Sequence, residues 1–427
     1  MISVTRVAST LRRGLFSARY ALRMRRGRRA VIRHLEAPAK VPVPMPTFVQ
    51  FRITNLCNLR CKMCGQWGDT GIFREHGGAA ATDGEAERAR VRELIGLGRQ
   101  LGLPDYERVL DEIAPADPVI SLFGGEPLLY PDLIPLVRAV KRRGLTLTLI
   151  TNGWLLEKHA QDLVSAGIDA IAVSVDGPEE LHDRIRGRES SFARLAEGVR
   201  AVARARDEQG SALPTLLAIL PITELNADAA GPAVAALGEL PLDVINLGLR
   251  WFVPSEVGAR YESVMSETFG VAGESWKGFE FSWPGGKEAA HSRQMVDLVK
   301  LLQGLKRGRA AAFLRGRPWR SFVPAVSPED VPSYFTDFNR TFGHDFCPVA
   351  WYFAQVEPDG DVCFCGDFPD YVLGNVGKQP FGEIWNGPRA GAFRAHLARE
   401  PLPVCARCCG SYVYGRWKRP EPKPAAS

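Results

Sequence analysis

The chain has 427 residues, 45% apolar and 24% charged, ordinary globular values that leave room for a large core and two units. The net charge of +6 is modest and gathered at the amino terminus, which argues against a dedicated nucleic-acid protein. No apolar run is long enough to span a bilayer, and nine cysteines in tight spacings read as metal ligands in a reducing, cytoplasmic compartment rather than as disulfides.

Residues 1–40 are rich in arginine (Arg12, Arg13, Arg23, Arg25, Arg26, Arg28, Arg29), opposed only by Glu36. Val7, Leu11, Leu15, Ala18 and Leu22 recur near helical spacing, so the spacing predicts a helix with an apolar stripe beside a cationic face. Three readings fit: contact of residues 1–35 with an anionic membrane surface or an acidic partner, an organelle transit peptide, or a basic helix packed on the domain. No uninterrupted apolar core follows the basic residues, so a secretory signal is not expected. Pro38, Pro42, Pro44 and Pro46 then read as an extended linker.

An apolar run, Phe48 to Thr54, predicts a strand that leads directly into Cys57, Cys61 and Cys64 in the spacing C-x3-C-x2-C. Three thiolates can hold three irons of a [4Fe–4S] cube and leave the fourth open for a ligand. The alternative is a structural zinc site, which favours paired C-x2-C units and four ligands. Residues 68–85, rich in Gly, Ala and polar side chains, read as a mobile loop or lid. Helical patterning resumes from Glu85 to Ile113, interrupted around Gly102-Leu103-Pro104.

From Val119 strands and helices alternate. The predicted strands are Val119–Phe123, Leu145–Thr151, Ala170–Val175, Leu216–Ile222 and Val244–Val253, with amphipathic helices between them. Counting the first strand, about six parallel β/α units result, too few to close an eight-stranded barrel. Polar residues stand where the strands end: Gly124-Gly125-Glu126-Pro127, Thr151-Asn152, and Ser174 with Asp176. Residues 254–345 carry no substrate-naming motif; they include a predicted helix over Gln294–Leu305 and a basic run from Arg307 to Arg320, and read as a bridge between domains and a part of the substrate pocket.

From Cys347 the composition changes. Glu357-Pro358-Asp359-Gly360-Asp361 reads as a hairpin turn, followed by Cys363 and Cys365, then a helix to about Ala398 and Cys405-x2-Cys408 with Cys409. Four thiolates from a hairpin and a C-x2-C loop suit either a whole cluster or an all-cysteine zinc site.

The cysteine loop with its Asn58 and Arg60, the Gly-Gly-Glu turn and the strand-end Ser174 and Asp176 together resemble the radical S-adenosylmethionine (SAM) superfamily. The resemblance implies a partial (β/α)6 barrel of α/β class over residues 47–253. It implies a [4Fe–4S] cluster on Cys57, Cys61 and Cys64, with SAM on the open iron. One electron would cleave SAM to a 5′-deoxyadenosyl radical that takes hydrogen from substrate. Gly124, Gly125 and Glu126 would meet the methionine amino group, Ser174 and Asp176 the ribose; Asn152 is a weaker candidate, and Arg186 would touch the SAM carboxylate or bridge structural acids. Leu220-Pro221-Ile222 is the strand expected near adenine.

Residues 346–412 resemble the SPASM and twitch extensions of that superfamily, through Cys347, a glycine five residues before Cys365, and Gly374-Asn375 with Glu383-Ile384-Trp385-Asn386. That register implies one auxiliary [4Fe–4S] cluster on Cys347, Cys365, Cys405 and Cys408, leaving Cys363 and Cys409 as extra thiols or as replacements. Residues 413–427 read as a tail. A low-potential donor of flavodoxin or ferredoxin type and an unidentified peptide, sugar, lipid or small-metabolite substrate are the implied partners. The alternative from another class is a non-catalytic iron–sulfur or zinc scaffold.

Overall fold

The computed structural model describes residues 4–68, 71, 73, 100–280, 291–314, 318–324, 326–408 and 417, with side chains from residue 20 onward and outside 309–314. The expected lid over 68–85, the helical patterning before residue 100, Cys409 and the tail from 413 lie almost wholly outside the described residues.

Every strand expected between residues 47 and 253 forms. They are β1 (Phe48–Thr54), β2 (Val119–Gly124), β3 (Thr146–Thr151), β4 (Ala170–Ser174), β5 (Thr215–Ile222) and β6 (Val244–Leu249). Each pairs in parallel with the next. One face of these strands is fully buried, as Phe51, Leu122, Leu147, Ile171, Leu216 and Ile245 show. Against it pack helices whose apolar residues recur at helical spacing. In α3 (Leu133–Arg142) these are Leu133, Leu136, Val137 and Val140; in α4 (Leu156–Ser165), Leu156, Ala160, Leu163 and Val164. In α6 (Ser191–Glu208), Gly198 lets the helix approach α4 closely: a Cβ there would lie 2.7 Å from that of Leu156. Among the described residues the remaining α-helices between β1 and β6 are α2 (Leu103–Ile113), α5 (Glu179–Arg186) and α7 (Ala230–Leu237).

The architecture is the α/β partial barrel expected, but its sheet is wider. Ten strands run in the order β10-β9-β8-β1-β2-β3-β4-β5-β6-β7. Beyond β6, after α8 (Ser255–Phe269) and α9 (Arg293–Leu314), β7 (Trp319–Val323) adds in parallel. The basic run from Arg307 to Arg320 thus holds the end of a helix and the start of a strand. The expected strand to Val253 ends at Leu249, and Val253 instead bridges to Glu280.

The second surprise concerns the carboxyl-terminal part. After α10 (Val331–Thr336) and α11 (Val349–Tyr352), β8 (Phe353–Val356) pairs in parallel with β1, Phe48 opposite Phe353. The expected hairpin, β8 with β9 (Asp361–Cys363), is therefore a continuation of the barrel sheet, closed by the short β10 (Gly374–Asn375). Two helices follow, α12 (Phe381–Asn386) and α13 (Pro388–Arg399). Phe364, Phe381, Trp385 and Phe393 pack as their aromatic core.

The amino-terminal basic segment is a helix, α1 (Val4–Glu36). Arg23 pairs with Asp117 at 2.5 Å, and Val31 is wholly buried. Gly27 faces Thr47 so closely that a Cβ would lie 1.9 Å from its hydroxyl. This helix packs on the body, in agreement with the third reading of the segment. No helix among the described residues is long and apolar enough to cross a membrane.

Candidate functional site at the carboxyl edge of the sheet

The loop leaving β1 folds back on itself through its own backbone. Cys64 N–H donates to the Cys61 carbonyl, and Gly68 N–H to the Cys64 carbonyl. Arg60 reaches the Cys57 and Leu59 carbonyls at 2.9 and 3.0 Å and lies over the Trp67 ring, whose indole N–H donates to the Asn55 carbonyl. A helix end and a strand end brace the loop from outside. Lys62 N–H donates to Ile185 at the end of α5, and Arg250, just past β6, donates to the Met63 carbonyl at 3.0 Å.

Gly124, Gly125 and Glu126 brace the same loop. Gly125 N–H donates to Thr54 and Glu126 N–H to Leu56, both at 2.7 Å. A Cβ on Gly125 would lie 2.2 Å from the Leu56 carbonyl oxygen, and one on Gly124 2.3 Å from that of Thr54. The glycines are needed because two backbones meet here. The Glu126 carboxylate turns inward: it accepts from Thr151 Oγ1 and Asn152 N at 2.7 Å and from Leu128 N at 3.0 Å. Burial raises its pKa, and those three donors oppose the rise. Through these bonds the carboxylate ties β2 to β3.

The three thiols share one neighbourhood. Burial lifts the Cys57 thiol well above its usual range, with Cys61 and Glu126 adding to the rise. Cys61 is pushed up to about 12 by burial, against the pull of Arg186. Each sulfur has an N–H donor: Asn152 Nδ2 at 3.9 Å from Cys57, an Arg186 guanidinium nitrogen at 3.6 Å from Cys61, Gln66 N and Trp67 N at 3.4 and 3.5 Å from Cys64. A bare thiol in this setting holds its proton; a bound metal core would displace it. Among the described residues no three His, Cys, Asp or Glu side chains converge on a single metal ion. A cube gives each thiolate its own iron, so its ligands need not meet at one point. The donor set and the N–H groups facing the sulfurs fit such a group.

Asp176 and Arg186 form an ion pair at 2.5 Å, both buried, two residues past β4 and at the end of α5. Burial raises the Asp176 carboxyl, opposed by Arg186 and Arg250. Arg186 thus bridges Asp176 and Cys61. Ser174 closes β4, half-buried and in register with Ile219. Asn152 Nδ2 donates to Asn58 Oδ1 at 2.8 Å. Pro221, in the strand expected near adenine, is half-buried, while Ile222 is buried. Sequence reasoning missed Arg250 and Glu224, which stand at the ends of β6 and β5; extending the strand-end rule to those strands would have found both. Glu224 Oε2 is buried with no partner among the described residues, and burial raises that carboxyl.

A second cysteine set flanks β8 in the chain, one cysteine before it and three after it. Cys347, Cys365, Cys405 and Cys408 act electrostatically on one another, and Cys347 and Cys405 share a hydrogen bond. Cys363 differs: it is buried in β9, with Glu357 Oε1 at 4.0 Å and the Cys365 carbonyl at 3.6 Å. Arg407, between Cys405 and Cys408, is 1% exposed. Its guanidinium donates to the Tyr334, Arg340, Ala406 and Asp337 carbonyls. No disulfide links any described cysteine.

Comparison with known proteins agrees with this geometry. Residues 51–225 match the family model of the Radical SAM superfamily, and residues 347–409 match SPASM, an iron–sulfur cluster-binding domain. The PqqA peptide cyclase of Ruegeria pomeroyi is 27% identical, over 88% of this chain and 82% of that protein. The pre-heme d1 synthase of Dinoroseobacter shibae is 24% identical, over 86% and 78%. Streptococcus suis SuiB bound to S-adenosylmethionine has the same fold, with a TM-score of 0.54, 14% identity, and coverage of 86% of this chain and 72% of that one. The chain belongs to the radical SAM superfamily and is an enzyme of that superfamily, with a SPASM domain, whose cofactors are [4Fe–4S] clusters and SAM.

Proposed function

We propose that Cys57, Cys61 and Cys64 hold the SAM-binding cluster, that Cys347, Cys365, Cys405 and Cys408 hold a single auxiliary cluster, and that the substrate is a peptide. The observation that carries the first part is the N–H donor facing each of the three sulfurs at the carboxyl edge of β1. When bound, the first cluster supplies the electron that splits SAM into methionine and a hydrogen-abstracting radical. The protein's own part is to fix the loop through Gly124, Gly125, Glu126 and Arg250. The Asp176–Arg186 pair stands beside Cys61, where the arginine charge suits a ligand carboxylate. Asn152 and Ser174 complete the polar edge around the ligand.

The peptide reading is supported by the match to the PqqA peptide cyclase over most of both chains. The comparable match to the pre-heme d1 synthase supports a second reading, a tetrapyrrole precursor. The test is anaerobic reconstitution followed by reduction with SAM, with 5′-deoxyadenosine as the readout. Deuterium passing from a labelled peptide into deoxyadenosine would support the peptide reading. Transfer from a labelled tetrapyrrole alone would replace it, and no SAM cleavage by a fully loaded protein would leave a scaffold.

A further inference from the structure

The helix α1 has two faces with different fates. Arg23, Met24, Gly27, Val31 and His34 point at the body: Arg23 pairs with Asp117, Tyr352 OH donates to the Met24 sulfur, and His34 Nδ1 meets the Val41 carbonyl at 2.7 Å. Leu22, Arg25, Arg26, Arg29, Ile32 and Arg33 are exposed. At 3.6 residues per turn these six fall within an arc of about 120° on the opposite side. Leu22 is 48% exposed and Ile32 37%, two of the few large apolar side chains so exposed among the described residues. None of the four arginines forms an ion pair among the described residues, and Glu36 is the single acid, at the end of the face.

We propose that this face of α1 rests on an anionic lipid surface. Charge and shape favour a lipid: Arg25, Arg26 and Arg29 stand between Leu22 and Ile32, which lie about 15 Å apart along the axis. A headgroup layer suits that mixture: arginine stems lie along the interface while their charges meet phosphate, and leucine and isoleucine enter the acyl boundary. No acid stands between Leu22 and Arg33, so these turns carry one sign.

The fold fixes what such docking would do. Asp117 and Gly144, which Arg23 contacts, precede β2 and β3, and Thr47, which Gly27 contacts, precedes β1. The helix therefore crosses the amino edge of the sheet. The cysteine loop leaves the other end of β1, about 20 Å away along the strand. Docking through α1 turns the cluster edge away from the lipid, so the contact anchors the enzyme rather than feeding the site from the bilayer.

The test is co-sedimentation of the full chain with phosphatidylcholine vesicles, with and without phosphatidylglycerol. Binding is expected only to the anionic vesicles and should fade as salt rises. The Arg25→Gln/Arg29→Gln double variant should bind about 25-fold more weakly, about fivefold per arginine. Leu22→Gln/Ile32→Gln should also weaken it, and both should keep the wild-type melting temperature. Equal binding to neutral vesicles, no vesicle binding, or unchanged binding by either variant would overturn the proposal. Equally tight binding of polyglutamate would overturn it too, by assigning the face to an acidic polypeptide.

Discussion

The two cysteine sites are built in opposite ways. Cys57, Cys61 and Cys64 occupy one loop of eight residues, half-buried, and their sulfurs accept N–H groups from residues just after that loop, just past β3 and on α5. Cys347, Cys365, Cys405 and Cys408 come from three separate segments, and a buried arginine holds the last of them in place. Under the proposed assignment the first site offers three thiolates and the second four. The proposal thus gives one fold both an open metal position and a saturated one, and local against long-range assembly separates them.

Changes at the first loop should separate the sites most sharply. Replacing Cys57, Cys61 and Cys64 with alanine is expected to abolish SAM cleavage, read as 5′-deoxyadenosine, while the auxiliary iron remains. Next comes Arg407→Ala. It removes a buried guanidinium that donates to four carbonyls, of which that of Tyr334 is buried, and should cost about 3 kcal/mol. Urea denaturation would measure that loss, and iron analysis should find the auxiliary metal depleted first. Glu126→Ala leaves three donors unpartnered and should destabilise by about 3 kcal/mol. Its expected mark is slower SAM cleavage with auxiliary iron intact, because the loop it braces is the first one.

A smaller effect concerns His182. Burial and the neighbouring Arg186 hold its pKa well below the usual value, and Asp176 N–H donates to its Nδ1, which requires the neutral ring. Since the folded pKa lies below the unfolded value of about 6.5, the unfolded chain binds the extra proton first. This contribution is complete above about pH 6.5 and lost as pH falls below it, by at most about 1.4 kcal/mol per pH unit. His182→Asn keeps an acceptor and should flatten that dependence in urea midpoints taken across acid pH. Smallest of all, Cys363→Ala should leave the iron content of both sites unchanged. A loss of auxiliary iron there would make Cys363 a ligand and shift the register of the second site.

Legibility followed the same division. The strands from β1 to β6 were readable because each is a short apolar run ended by turn residues, a local signal. Cys57, Cys61 and Cys64 were readable for the same reason. The parallel pairing of Phe48 with Phe353 was not, because it joins residues far apart in sequence and no local pattern encodes a partner. β7 was hidden because Trp319–Val323 is short, contains Arg320 and Ser321, and follows a basic run. Glu126 was legible as a strand-end carboxylate, but its bonds to Thr151 and Asn152 were not, because they join residues on different strands. Arg250 and Glu224 are single residues at strand ends, and become visible only when the strands share one edge.

The most direct measurement is iron per chain after anaerobic reconstitution, for the wild type, the Cys57/Cys61/Cys64→Ala variant and a Cys347/Cys365/Cys405/Cys408→Ala variant. Two separate cubes predict about eight irons in the wild type and about four in each variant. Wild-type protein that holds zinc, or a quadruple variant that keeps all its iron, would contradict the two-site account.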